Sequence, residues 1–233
     1  MEKPKITDLA AHPTNTWSRA GQQIEYIVLH YVGAVSTAQN NAEYLHRDAN
    51  LGWSAHFFTD EHSIWQSVDL GLSAGHCGVD YSGGTAPFWG RCRNKNSIGI
   101  EMCCKKDADG QWYLEPETVT RTVALVKWLM QGYGIPIGNV LRHYDVCRKT
   151  CPEPWVRDPA QWQAFLNRLK EEEPMIRYNT LAELPAHYRA ETEKLLRRGA
   201  LRGRADGMLD LSEDMLRTML VCQRMVDERE ETA

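Results

Sequence analysis

IEYIVLH, residues 24–30, places five apolar side chains in seven positions and ends on a histidine. A run this short, β-rich and apolar predicts a largely buried strand. The elements around it alternate in character. Thr37 to about His46 has helical spacing, with Thr37 placed to cap it. SAHFFT (54–59) and SIWQSV (63–68) predict a hairpin across the polar turn at Asp60–His62, and SIGIEM (97–102) predicts a further strand. Pro116 opens an amphipathic helix carrying Val119, Val123, Val126 and Met130, which Gly134 and Pro136 end near Tyr133. Val140–Val146 reads as the end of an element, and Asp158–Glu172 as a last helix. Strands that alternate with helices predict an α/β domain with a central sheet.

Between the strands lies a long aperiodic stretch, Gly71–Lys95, containing Gly83-Gly84 and Pro87. A loop of this length in a compact domain is usually functional or disordered. At Glu171-Glu172-Glu173-Pro174 an acidic run ends in proline, which marks a linker. The expected division is a domain over 1–172 and a small helical module over 173–233. The module reads as a helix at Ala186–Arg198, a stop at Gly199, and a second helix capped by Ser212, with Met215, Met219, Cys222 and Val226 along one face. A module this small buries little core and is expected to dock or self-associate, so a homo-oligomer is one expectation.

The 233 residues carry a formal charge of −4, with 42% hydrophobic and 25% charged residues. These values fit a globular domain and give no field that would draw in nucleic acid or an anionic membrane. The start, MEKPKITDLAAHPTN, has no apolar h-region, and no stretch approaches a membrane span, so the expected location is the cytoplasm. Seven cysteines, an odd number without an export signal, argue against a disulfide framework.

Three residues point to chemistry. His30 stands at the end of a rigid strand. His143 and Cys151 lie eight residues apart in RHYDVCRKTCP, a segment too polar and proline-broken for an ordinary core element. Two imidazoles and a thiolate suit a borderline-soft ion such as zinc better than magnesium or calcium. A catalytic zinc needs three such ligands and one open position. Any one of the three, taken alone, is as readily a core residue as a ligand.

Several motifs in order give the chain a resemblance. VLHY around His30, SAHFF around His56, SAGHCG around His76, SIGIEM around Glu101, RHYDV around His143 and KTCP around Cys151 resemble the N-acetylmuramoyl-L-alanine amidases of the phage-lysozyme and peptidoglycan-recognition type. The resemblance covers about Ile24 to Leu169. It implies a mixed sheet with helices on both sides, zinc held by His30, His143 and Cys151, Glu101 as general base and Lys149 as electrostatic stabiliser. Without the resemblance, Glu101 is a strand-end charge and Lys149 a solvated lysine. His76 and Trp65 are the candidate substrate contacts, with Trp53 and Trp89 as further candidates for a glycan groove, and His56 is expected to support the sheet. Two positions depart from the family pattern. Ala55 stands where some branches have a tyrosine, which shifts the load to Glu101 and Lys149, and Glu153 stands where glycine is frequent, at the rim of the cleft.

The implied substrate is peptidoglycan, cut between N-acetylmuramic acid and L-alanine by a phage or prophage endolysin. Two alternatives remain: a cytosolic amidase of muropeptide recycling, and a non-catalytic peptidoglycan-binding protein on the same fold. The tail resembles the small helical tails of prophage-encoded amidases from Gram-positive bacteria. With ten basic and eleven acidic residues from Pro174 onward, it is no electrostatic anchor for anionic wall polymers, and wall binding and homo-oligomerisation both stay open as its role.

Overall fold

The structure, a computed structural model, describes residues 3–171 and 177–231, with side chains of the last helix described as far as residue 223. Most of the acidic linker, and Val226 on the final helix, lie outside the described side chains. The chain divides into two compact units, Met1–Glu171 and Glu172–Ala233.

In chain order the first unit contains β1 (Thr7–Asp8), β2 (Thr16–Ser18), β3 (Tyr26–Val35), α1 (Ala38–Arg47), β4 (Phe57–Thr59), β5 (Ile64–Gln66), β6 (Leu72–Ala74), β7 (Ser97–Lys106), β8 (Trp112–Tyr113), α2 (Pro116–Tyr133), β9 (Val140–Arg142), α3 (His143–Cys147), α4 (Glu153–Arg157) and α5 (Pro159–Lys170). The main sheet runs β1-β5-β4-β7-β3-β9, with β8 paired onto β7. β3 lies parallel to β7 and β9, and β4 parallel to β7, while β4–β5 and β7–β8 are antiparallel. The sheet is therefore mixed, with helices on both faces. β2 and β6 form a separate antiparallel pair.

The register sorts the residues by face. Leu29, Ile100 and Phe57 lie in one row across three strands, and Ile27, Ile98 and Val140 in another. All six join the largest core with Leu125, Val126 and Leu129 of α2 and Phe165 of α5. Each fully buried aliphatic side chain here stabilises the fold by about 1.5–3 kcal/mol. The opposite face carries two smaller clusters. One packs Phe58 and Cys103 against Ala38, Ala42 and Leu45 of α1, and the other joins Tyr26, Val28 and Leu141 to Cys77, Cys92 and Val146.

α2 begins at the predicted Pro116 and ends at Gly134, whose φ of 65° lets its N–H close on the Met130 carbonyl. Its buried stripe is rotated from the predicted one: Val123 and Val126 are buried, but Val119 and Met130 are only half so, and Thr118 and Thr122 go inside. Of the two, only Thr122 has its hydroxyl satisfied, while Thr118 Oγ1 is buried without a hydrogen-bond partner among the described residues. The Thr122 hydroxyl bonds the Thr118 carbonyl and lies 2.8 Å from the Thr59 hydroxyl.

The second unit contains β10 (Arg177–Tyr178), α6 (Ala186–Arg197), β11 (Leu211–Ser212) and α7 (Glu213–Glu231), with β10 and β11 antiparallel. Ser212 Oγ accepts from the Met215 N–H at 3.2 Å, the expected cap. The core is Leu184, Tyr188, Leu211 and Leu216, with Met219 and Leu220 packed against it. Of the predicted α7 stripe Met219 packs inward as expected, and the rest of the described stripe is displaced by one position. Met215 and Cys222 are exposed, because Leu216 and Leu220 take the inward positions.

Candidate active site

His30, Glu101, Phe58 and Trp65 form a single row across β3, β7, β4 and β5, so their side chains start from the same face of the sheet. His30 and Glu101 stand on neighbouring strands in the gap between the two smaller clusters. The face is polar at this point because the alternation of β3 and β7 brings a histidine, a glycine and a glutamate to it between apolar neighbours.

His143 arrives from the other side, as the first residue of α3. Its helix start is held by Arg142, whose backbone N–H, Nε and Nη2 all donate to the Asp145 carboxylate at 2.8–3.1 Å. The Arg142 guanidinium also donates to the Trp155 carbonyl. Arg148 ends the helix in the left-handed region, at φ 67°. The chain then turns back so that Tyr144 N–H donates to the Cys151 carbonyl at 2.9 Å. In this way a single clamp fixes both His143 and Cys151.

The potential ligand atoms of His30, His143 and Cys151 all lie within 4.8 Å of one another, and all three residues are buried. Cys151 Sγ is 3.7 Å from His30 Nδ1, which in turn is 4.0 Å from a Glu101 oxygen. The rings of His30 and His143 are 4.5 Å apart between centroids. Among the described residues, neither nitrogen of His143 nor Glu101 Oε2 has a hydrogen-bond partner. Buried polar atoms are ordinarily satisfied, so unmatched atoms on side chains gathered this closely indicate a guest with charge to offer. Two nitrogens and a sulfur make a donor set suited to a borderline-soft divalent ion. The residues therefore fit a metal.

The tautomer of His30 follows from a chain of hydrogen bonds. The Ser97 hydroxyl donates to the Arg93 carbonyl at 2.6 Å, so it accepts from His76 Nε2–H at 3.0 Å. His76 Nδ1 then carries a lone pair and accepts from His30 Nε2–H at 3.1 Å. This leaves a lone pair on His30 Nδ1, the nitrogen that faces Cys151 and Glu101. His76 reaches this place because residue 99 is glycine: a Cβ there would stand 2.5 Å from the His76 ring.

Burial sets the titration behaviour. Desolvation, reinforced by His143, His76 and Lys149, holds His30 well below the usual histidine range. Desolvation with His76 and Lys149 brings His143 down to about 3. Burial pushes Glu101 up to about 8, against the pull of Lys149. Burial and the Glu101 charge raise the Cys151 thiol, opposed by the Tyr31 backbone N–H and Lys149. The metal-free cluster therefore favours neutral groups, and a cation would reverse that preference.

The other sequence candidates fall in distinct places. Lys149 is exposed, two residues before Cys151, near enough for its charge to act on all four buried groups. Trp65 packs into the α1-side cluster, with its Nε1 donating to Ser63 Oγ at 3.1 Å. It stands two strands from Glu101, about 10 Å at ordinary strand spacing, and is not brought to the His30 cluster. Trp53 is exposed beside Tyr44, their ring centroids 6.2 Å apart, and Trp89 is half-buried in the long loop. Ala55 is buried in the α1-side cluster. His56 ties β4 to β7 by accepting from the Gly99 N–H at 3.0 Å.

Sequence reading missed three contributors. Arg19 is buried beside His56 and donates to the carbonyls of Leu70, Lys95 and Ser97. Tyr31 donates its hydroxyl to Glu153 at 2.9 Å, tying the residue after His30 to the segment after Cys151. Ser97 closes the His76 chain. Each acts through partners distant in sequence, and no local pattern announces it.

A sequence profile described as N-acetylmuramoyl-L-alanine amidase (Amidase_2) matches residues 20–154, more than half of the chain. The chain belongs to this amidase family. The N-acetylmuramoyl-L-alanine amidase BlyA of Bacillus subtilis (strain 168) is 32% identical over 169 residues, covering 68% of this chain and 45% of BlyA. The chain thus spans less than half the length of that relative. Among solved structures, a mutant of PlyL superposes with a TM-score of 0.58 at 25% identity, covering 72% of this chain and 100% of the other. A mutant endolysin from Bacillus subtilis does so with a TM-score of 0.55 at 25% identity, covering 71% and 98%. The matched region of the amidase profile includes His30, Glu101, His143, Lys149 and Cys151.

Proposed function

We propose that the first unit is a zinc-dependent N-acetylmuramoyl-L-alanine amidase that cuts peptidoglycan, and that the protein works as an endolysin. The observation that carries this reading is the convergence of His30, His143 and Cys151, in a chain belonging to the amidase family, around unmatched atoms of His143 and Glu101. The amidase names of the curated relatives and the endolysin among the structural neighbours support substrate and role. Among the described residues, no helix is long and apolar enough to cross a membrane.

His30 through Nδ1, His143 through a ring nitrogen and Cys151 through its sulfur would hold the ion. A bound zinc supplies Lewis acidity toward the scissile carbonyl and toward the attacking water. Glu101 is the general base. Its carboxyl group is held at the end of the apolar run of β7 with one oxygen unpaired, and its proton affinity would fall beside a bound cation from the metal-free value of about 8, leaving a carboxylate able to accept a proton. The same oxygen then hands the proton to the departing alanine nitrogen. Lys149, exposed at the rim with its charge felt throughout the cluster, stabilises negative charge developing on the carbonyl oxygen. His76 acts through His30, fixing which nitrogen faces the metal.

The deciding experiment pairs metal analysis of the purified protein with a product assay on intact cell walls. One zinc per chain and newly freed alanine amino groups are expected. New reducing sugar ends would make the protein a glycosidase instead. Activity confined to soluble muropeptides would remove the endolysin role and leave the amidase chemistry intact.

A further inference from the structure

Two cysteines take no part in the proposed centre yet lie together beside it. Cys77 follows His76 directly, and Cys92 lies at the far end of the exposed stretch 78–91. Both are buried in the cluster formed with Tyr26, Val28, Leu141 and Val146. Their thiols are close enough to perturb each other's proton affinity, and Cys77 S–H donates to Asn94 Oδ1 at 3.2 Å. The Ser97 hydroxyl, the last link in the His76 chain, also faces both sulfurs and is 3.8 Å from that of Cys77.

Asn94 fixes the approach. Its Oδ1 accepts from the N–H groups of His76 and Cys77, so the turn that carries the first thiol is pinned to the segment just after the second. Cys92 N–H donates to the Phe88 carbonyl, which closes the end of the loop. The other cysteines lack this arrangement. Cys103 and Cys104 are consecutive on β7 and join clusters on opposite faces of the sheet. Cys147 donates to the His143 carbonyl, Cys151 belongs to the metal cluster, and Cys222 is exposed in the second unit.

We propose that Cys77 and Cys92 are a redox-modifiable pair, which a low-molecular-weight disulfide oxidises to a staple closing the 78–91 loop beside His76. In the first step the Cys77 sulfur attacks one sulfur of the oxidant. The S–H proton leaves with the first expelled thiol, and a mixed disulfide forms. The Cys92 sulfur then attacks Cys77 Sγ in that mixed disulfide and expels the second thiol, which takes the second proton. Two S–H bonds are lost and one S–S bond is formed, and the oxidant is reduced to two thiols. Access needs only a local opening of the glycine-rich loop, because both cysteines lie under it. For an enzyme that acts outside the cell, which rests on the reading above, the staple would form after the chain leaves a reducing compartment.

The test treats the full chain with oxidised glutathione, blocks the remaining thiols and maps the linked peptides by mass spectrometry. A peptide pair joining Cys77 to Cys92 is expected, with the Tm raised by roughly 5 °C. Chymotryptic cutting at Tyr81 or Trp89 should then give fragments that stay together on a non-reducing gel and separate on a reducing one. The link should vanish in Cys92→Ser and persist in Cys222→Ser. Recovery of Cys77 and Cys92 as separate thiols or separate mixed disulfides overturns the proposal, as does a link to any other cysteine. Neither result depends on amidase activity, so failure here leaves the proposed function untouched.

Discussion

One face of the central sheet is matched almost throughout, Thr118 Oγ1 on α2 aside, and the other is not, although alternate residues of the same strands build both. On the α2 and α5 side, Ile27, Leu29, Ile98, Ile100 and Phe57 meet other hydrocarbon, and even Thr59 finds a hydroxyl partner on α2. On the α1 and α3 side, the apolar packing parts around His30, Glu101 and His143, whose polar atoms are buried but incompletely paired. The first face is expected to hold the fold together. The second gives up local stability to keep charged-group chemistry in a dry place, a trade common at functional sites.

The sharpest way to break this comparison is to remove one atom from the unmatched face. Cys151→Ala should lower the release of alanine amino groups by about a thousandfold or more, since it deletes a proposed metal ligand. The folded state should survive in circular dichroism, because the sulfur's packing contribution is small. An active Cys151→Ala would dissolve the distinction between the faces. The converse substitution is Ile100→Ala, one residue before Glu101 but pointing the other way. It should cost about 2–5 kcal/mol in urea unfolding, with activity per folded molecule retained. A loss of turnover with unchanged stability would show that the two faces are not separable.

A smaller effect is expected at His76, which touches the cluster only through His30. His76→Ala should weaken zinc affinity about 10–100-fold in chelator competition, with less effect on turnover once the metal is saturating. A purely structural role would move the Tm and leave metal affinity alone. Equal loss of turnover at saturating metal would instead make His76 a group that touches the substrate.

The matched face was the more legible of the two in the sequence. IEYIVLH and SIGIEM declared their strands because apolar residues crowd them, and Pro116 and Gly134 marked α2 by backbone chemistry alone. Both strands run further than read, to Val35 and Lys106, since pairing continues where side chains turn polar and the pattern fades. β1, β2 and β8 are too short to hold any pattern. On the unmatched face, the spacing of His143 and Cys151 was visible, but what holds them was not. The Arg142–Asp145 clamp resembles any surface pair, and Arg19 lies in a stretch that reads as an ordinary polar turn. Trp65 shows the same limit from the other side: a tryptophan in a hairpin has the same sequence appearance whether it lines a groove or fills a core.

The finest distinction between the faces lies in how protons are held when no metal is present. Glu101 has a folded pKa near 8 against an ordinary value of 4.5, so between those limits the native state binds more protons than the unfolded one. Its contribution is therefore complete below about pH 4.5 and is lost as pH rises toward 8. His143, brought down to about 3 from 6.5, acts in the opposite direction, and its contribution is lost as pH falls from 6.5 toward 3. Between pH 4.5 and 6.5 the two slopes oppose each other, and above 6.5 only the glutamate slope remains. Glu101→Gln removes that slope while keeping the size and polarity of the side chain. Urea midpoints of the metal-free protein at pH 5 and pH 8.5 should thus show the variant gaining on the parent as pH rises. The gain should fall short of the full shift, because 16 % of the Glu101 side chain still meets solvent. A stability difference independent of pH would mean that Glu101 sits in water like any strand-end carboxylate, and the unmatched face would lose its proposed base.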